Sequence, residues 1–339
     1  MELSFDGLAG WLGRSFDAEP RIERLERLGG GAIQENWALD VELRGGPRAG
    51  CHAWVLRTSS PSGVAVSWSR AEEFAILATA HAAGVKVPEP ILHCGDAAVI
   101  GRAFYLMARL PGEARGNRLV RDPALPGYGE ALVRDLGREM ARLHRVGPPV
   151  ERLHFMPVPK TAPSRARITE YRRHLDALDA VEPVLEWALS WLERRAPEPE
   201  RVSLIHGDLR TGNYLVHDGR LSGILDWEFA AFGDPLEDLG WMLARCWRFG
   251  AYQREAGGIG SRQSLLDGYE AEAGHAVDRG LVPYWEVMAT VRWAVVALQQ
   301  AERHYSGAEP SLELALTGQV LPALELDLLT RIAEIEAGR

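Results

Sequence analysis

The sequence predicts an α+β fold in two lobes: a strand-rich N-terminal lobe over residues 1–110 with one main helix, and a mainly helical lobe over residues 111–339. Three observations predict it. Trp37-Ala38-Leu39-Asp40-Val41-Glu42-Leu43 alternates apolar and other residues with the period of two that marks a half-buried strand. Phe104-Tyr105-Leu106-Met107-Ala108-Arg109-Leu110 reads as a buried strand that stops at Pro111-Gly112, the natural lobe boundary. Beyond it, Leu132, Leu136, Met140 and Leu143 recur at helical spacing, so residues 128–146 read as an amphipathic helix.

Composition excludes several classes. The chain has 339 residues, and 38 Lys and Arg against 47 Asp and Glu give a formal charge of −9, which argues against a nucleic-acid binder. Cys51, Cys94 and Cys246 are scattered and form no C-x-x-C pair, so neither a disulfide framework nor a zinc site is expected. Met1 to Asp6 does not open a basic and apolar signal segment, and no apolar run approaches the ~20 residues a bilayer requires. The expectation is a cytoplasmic protein with no membrane and no nucleic-acid partner.

In chain order, Leu28-Gly29-Gly30-Gly31-Ala32-Ile33 precedes the first clear strand. Such a turn serves as an ordinary flexible connection or lays backbone N–H groups over phosphate oxygens. It is neither a Walker loop nor a G-x-G-x-x-G fingerprint. A second strand, Ala53-Trp54-Val55-Leu56-Arg57, ends on a cation. The helix expected over residues 68–81 places Phe74, Leu77 and Ala78 on its buried stripe. Val87-Pro88-Glu89-Pro90 breaks it before Ile91-Leu92-His93-Cys94. Residues 168–195 read as two helices broken near Glu182-Pro183. The last ninety residues look helical, with Tyr269, Tyr284, Trp285, Met288, Trp293 and Val295 on apolar faces.

The chemistry concentrates in residues 204–228. Asp218-Gly219 is a two-residue hairpin signal between Tyr214-Leu215-Val216-His217 and Arg220-Leu221-Ser222-Gly223-Ile224-Leu225. Counting back from that turn, Asn213 faces Ile224, and Asp226 becomes its diagonal neighbour, roughly 7–8 Å away between backbones. A carboxylate and an amide oxygen so placed can share one small cation. Asp208 lies in the loop leading to that end, with Gly207 and Gly212 beside it to bend the backbone. Oxygen ligands, few in number, suit Mg²⁺ held partly by phosphates, and a nearby carboxylate suits a hydroxyl that must lose its proton. The plainer alternative is that Asp208 and Asn213 cap turns while Asp226 ends a strand.

His206-Gly207-Asp208-Leu209-Arg210-Thr211-Gly212-Asn213 followed by Ile224-Leu225-Asp226-Trp227 resembles the catalytic signature of the aminoglycoside phosphotransferase and choline kinase-like family. The resemblance runs from about Ile22 to about Trp247. It implies a protein kinase-like bilobal fold with an antiparallel N-terminal sheet, a nucleotide-binding first lobe, and a second lobe for catalysis and the acceptor. It implies ATP or GTP as co-substrate, Mg²⁺ as cofactor, and a small hydroxylated molecule as acceptor. Asp208 is then the catalytic base, and Asn213 and Asp226 the metal ligands. Gly30 and Gly31 would cover the nucleotide, and the backbone from Met107 to Arg109 would meet adenine between walls from Met107, Val55 and Ile33. Arg57 stands where the family usually has Lys, as in the branch linked to acyl-CoA dehydrogenases, with Glu73 as its carboxylate partner and Glu72 as the alternative.

The G-D-P-x-x-D-L segment from Gly233 makes Asp234 an N-cap and reads Asp234 and Asp238 as supports of the active-site loops. His144 reads as structural. No cluster of carboxylates suited to a polycationic antibiotic stands in the C-terminal region, so the family name does not fix the acceptor. Two other functions remain compatible at this level: a nucleotide-binding pseudoenzyme, motivated by Arg57, and a metal-dependent hydrolase using His206 and Asp208.

Overall fold

The computed structural model describes residues 3–29, 34–59, 68–178, 181–199 and 201–338. The chain divides between two units: Met1–Pro111, Glu151–Phe155 and Ser222–Phe229 belong to the first, and the remainder to the second.

In the first unit α1 (Leu8–Phe16) precedes β1 (Glu19–Arg27), β2 (Gln34–Arg44) and β3 (Gly50–Ser59), followed by α2 (Arg70–Ala82), β4 (Pro90–Cys94) and β5 (Phe104–Ala108). The strands form one antiparallel sheet in the order β1-β2-β3-β5-β4. Register assigns its faces. Leu39 pairs with Trp54 and Leu56 with Leu106, and these side chains share a core with Leu8, Leu12 and Phe16 of α1. Each such side chain removed from water contributes about 1.5–3 kcal/mol, which docks a nine-residue helix too short to persist alone. That helix was not anticipated, although Leu8, Leu12 and Phe16 recur every four residues. One residue along, Val55 and Arg57 point to the opposite face, where Arg57 is in register with Tyr105.

α2 packs against β3, β4 and β5. It begins at a capping box in which Ser69 Oγ accepts the Glu72 N–H and Glu72 accepts the Ser69 N–H. The buried stripe is Glu73, Ile76, Leu77 and Ala80; Phe74 and Ala78, expected on it, are half-buried. Reading the stripe from apolar residues alone misplaced it, because a carboxylate occupies its centre.

The second unit carries α3 (Gly116–Val120), α4 (Leu125–Leu143), α5 (Pro163–Ala177) and α6 (Pro183–Arg194). Short strands follow: β6 (Ser203–Ile205), β7 (Tyr214–His217), β8 (Arg220–Ile224, from Ser222 onward in the first unit) and β9 (Ala231–Gly233). α7 (Pro235–Leu243), α8 (Arg262–Ala273), α9 (Val282–Tyr305), α10 (Leu312–Gly318) and α11 (Leu321–Glu336) complete it. The core gathers on α9, where Trp285, Met288 and Val295 meet Tyr171 of α5, Leu189 of α6 and Leu328 of α11. α4 and α8 cross so closely that a Cβ at Gly137 would lie 2.2 Å from the Leu265 carbonyl oxygen. Among the described residues no helix is long and apolar enough to cross a membrane.

Candidate active site

In the second unit the loop from His206 to Asn213 runs between β6 and β7, and α7 supplies its anchor. Asp234 caps α7 by accepting the Leu236 N–H at 2.9 Å, with Pro235 as the first helical residue. One turn on, buried Asp238 accepts the His206 N–H at 2.7 Å and the Gly207 N–H at 2.8 Å. Its third bond comes from His144 Nε2 at 3.1 Å, and His144 Nδ1 lies 3.0 Å from the Tyr269 hydroxyl. A carboxylate only accepts, so Nε2 carries a hydrogen toward Asp238. Burial alone would raise the Asp238 pKa, but the hydrogen bond and electrostatic pull of His144, with further help from His206, hold it below the ordinary carboxylate value. Asp238 and His144 therefore take the supporting places expected of them.

That anchor delivers Asp208. Its Oδ1 accepts Trp241 Nε1 at 2.9 Å and its Oδ2 accepts Asn213 Nδ2 at 2.6 Å. Asn213 Nδ2 also donates to the Asp208 carbonyl at 2.8 Å. Because the carboxylate needs a donor, the amide orientation is fixed, and no described protein group donates to Asn213 Oδ1. Gly207 and Gly212 take φ of +76° and +117°, conformations that let the loop fold back on itself. Asp218 and Gly219, at +49° and +71°, form the expected turn between β7 and β8.

Two residues beside Asp208 were not read from the sequence. Neither Trp241 of α7 nor Arg292 of α9 carries a local signal of its place there. Arg292 Nη1 donates to the Gly207 carbonyl, and its guanidinium lies 4.4 Å from the centre of the Trp241 ring. Arg210 approaches Asp208 Oδ1 at 3.4 Å and covers Trp247 at 4.5 Å.

The first unit holds the other set. Arg57 Nη2 lies 2.8 Å from Glu73 Oε1 and donates to Asp226 Oδ1 at 2.7 Å. Burial works against the Arg57 charge, but Glu73, Tyr105 and Asp226 overcome it and keep its pKa well above the ordinary arginine value. Arg70 Nη1 donates to the second Glu73 oxygen, a contact absent from the sequence reading. The i, i+3 spacing of Arg70 and Glu73 was its available signal. Glu72 is occupied by the capping box, leaving Glu73 as the inward carboxylate. Asp226 has a φ of +67°, unusual for a residue with a Cβ.

Gly30, Gly31 and Ile33 lie outside the described residues. Met107 is half-buried in β5, in register with Val55 and Pro90. The Arg109 N–H bonds the Ala53 carbonyl at 2.9 Å, and its guanidinium meets Asp40 at 2.6 Å. Among the described residues no group of three or more His, Cys, Asp and Glu converges as metal ligands. The oxygens of Asn213 and Asp226 belong to different units. Each taken by itself, an amide oxygen and a carboxylate are hard donors.

The sequence matches the phosphotransferase enzyme family over residues 24–275. It is 29% identical over 236 residues to acyl-CoA dehydrogenase family member 11 of Pongo abelii, a match covering 65% of this chain and 30% of that protein's length. The fold resembles a Ralstonia eutropha JMP134 protein assigned as an aminoglycoside phosphotransferase, with a TM-score of 0.72, 20% identity and 96% of each chain covered. It also resembles an aminoglycoside phosphotransferase solved with GDP and kanamycin, with a TM-score of 0.60, 19% identity, and 91% of this chain and 94% of that one covered. The antiparallel sheet with its helix and the helical second unit are thus those of the kinase-like phosphotransferase fold, and the chain belongs to the phosphotransferase enzyme family.

Proposed function

We propose that the chain transfers the γ-phosphoryl group of ATP or GTP to a hydroxyl of a small molecule. The observation that carries this reading is Asp208: Trp241 and Asn213 hold its two oxygens while Asp238 fixes the backbone before it. A carboxylate so restrained is placed to orient an acceptor hydroxyl and take its proton as the phosphoryl group arrives. Asn213 Oδ1 and Asp226 are the residues that would hold Mg²⁺, which neutralises phosphate charge when bound. Arg57, kept charged and steered by Glu73, would meet the nucleotide phosphates. Because the protein does little covalent chemistry here, placement and charge supply most of the rate enhancement.

The division of labour belongs to the same proposal: nucleotide on residues 1–110, base and acceptor on residues 111–339. Adenine recognition near Met107 to Arg109 would use carbonyl oxygens and apolar side chains, since the N–H groups of Ala108 and Arg109 are engaged by Glu89 and Ala53. Gly30 and Gly31 would lie over the phosphates. The groups beside Asp208 are guanidinium and indole rather than carboxylate, which favours neutral or anionic acceptors over a polycationic aminoglycoside.

The test is a nucleotide-consumption screen against hydroxylated metabolites. Hydroxylated acyl thioesters belong on the panel because of the relative's dehydrogenase name, and kanamycin because of the neighbour's complex. Mg²⁺-dependent consumption with at least one acceptor, lost in Asp208→Ala, is the expected result. Consumption that survives in Asp208→Ala overturns the assignment.

A further inference from the structure

We propose that Arg70 is a positioning residue that enables an arginine, rather than a lysine, to serve at position 57. The inference rests on the reading of Arg57 as the phosphate-binding cation.

Arg70 is oddly placed for any other purpose. It is the first residue of α2, where the helix dipole leaves partial positive charge, so a cation there is unfavourable to the helix. It is also buried, with 3% of its surface exposed. An ordinary solvated arginine would satisfy neither condition. Its two bonds explain its place: Nη2 donates to the Trp68 carbonyl at 2.9 Å, and Nη1 donates to Glu73 Oε2.

The consequence falls on Glu73. This carboxylate is 1% exposed, and its two oxygens go to different guanidinium groups, Oε1 to Arg57 and Oε2 to Arg70. A carboxylate facing a single arginine tends to close a two-pronged, parallel pair of hydrogen bonds. Such a fork would commit more of Arg57 to Glu73 and withdraw it from Asp226 and from phosphate. With Oε2 occupied, Glu73 holds Arg57 by one oxygen, and the same Nη2 reaches Asp226 at 2.7 Å. Lysine at position 57 would need no such restraint, because an ammonium is a point charge without a fork.

This predicts coupling between the two arginines. Nucleotide KM and equilibrium Mg²⁺–nucleotide affinity are measured for wild type, Arg70→Gln, Arg57→Lys and the double variant. Arg70→Gln raises nucleotide KM about tenfold when residue 57 is Arg and less than about twofold when it is Lys, with kcat changing less than KM. Arg70→Lys, which keeps a cation on Glu73 Oε2, retains wild-type nucleotide KM and serves as the readout if Arg70→Gln does not fold. Equal effects of Arg70→Gln in both backgrounds, or a tenfold loss of nucleotide affinity in Arg70→Lys, overturn the proposal. Failure of the wild type to bind Mg²⁺–nucleotide overturns the phosphotransfer reading as well, and so distinguishes the two failures.

Discussion

Asp238→Asn tests whether α7 anchors the loop that carries Asp208. The carboxylate accepts three hydrogen bonds, at 2.7, 2.8 and 3.1 Å, from His206 N–H, Gly207 N–H and His144 Nε2. An amide keeps one accepting oxygen and turns a donor toward the others. His144 can adapt, since the other neutral tautomer places its hydrogen on Nδ1, toward the Tyr269 oxygen, and accepts the new amide hydrogen at Nε2. One backbone N–H cannot adapt. The loss is then one charge-assisted bond, worth about 1.5–3 kcal/mol, plus an unsatisfied buried donor at about 1–3 kcal/mol, or about 2.5–6 kcal/mol together. The loop ahead of Asp208 should also shift, and a displacement near 1 Å costs about 100-fold in turnover. Urea denaturation and steady-state kcat are the assays. The variant also loses the acid limb of stability: a carboxylate whose folded pKa lies below its unfolded value contributes stability above about pH 4, lost as pH falls through the folded pKa. A destabilisation below 1 kcal/mol with kcat within twofold of wild type refutes the anchor.

Other substitutions probe separate parts of the account. Gly137→Ala puts a methyl group against the Leu265 carbonyl at the α4–α8 crossing and should lower stability in urea by about 1–3 kcal/mol without changing nucleotide affinity. Glu73→Ala leaves Arg57 and Arg70 buried without their shared carboxylate, for a loss of about 3–5 kcal/mol that approaches the whole stability of many domains. Its urea midpoint should collapse, whereas Glu72→Ala, which removes a capping-box partner, should cost only about 1 kcal/mol. Asn213→Ala removes the amide oxygen proposed for Mg²⁺ and should raise the Mg²⁺ concentration for half-maximal activity at least tenfold, measured at saturating nucleotide.

Local signals led far into the site, and tertiary ones did not. Asp218-Gly219 announced the turn because few residue pairs take two positive φ values in succession, and both do so here. Asp234-Pro235 announced the start of α7 because an acceptor side chain followed by proline satisfies an N-terminus at once. The H-G-D-x-x-x-x-N spacing brought Asp208 and Asn213 together because four intervening residues, Gly212 among them, can fold back on themselves. Distant contacts were invisible. Trp241 meets Asp208, and Arg292 meets Gly207, only after α7 and α9 have packed. The stripe of α2 was misread at Phe74 and Ala78 because Glu73 is drawn inward by arginines from two elements, and a polarity pattern assigns such a residue to water.

The most direct measurement of the central claim is transfer of label from γ-³²P nucleotide to the acceptor found in the screen, comparing wild type with Asp208→Asn. The variant keeps an accepting oxygen toward Trp241 or Asn213 but cannot take a proton. The account predicts unchanged Mg²⁺–nucleotide affinity and transfer lowered by about 10²–10⁴-fold. Transfer at the wild-type rate in a folded Asp208→Asn protein would contradict it.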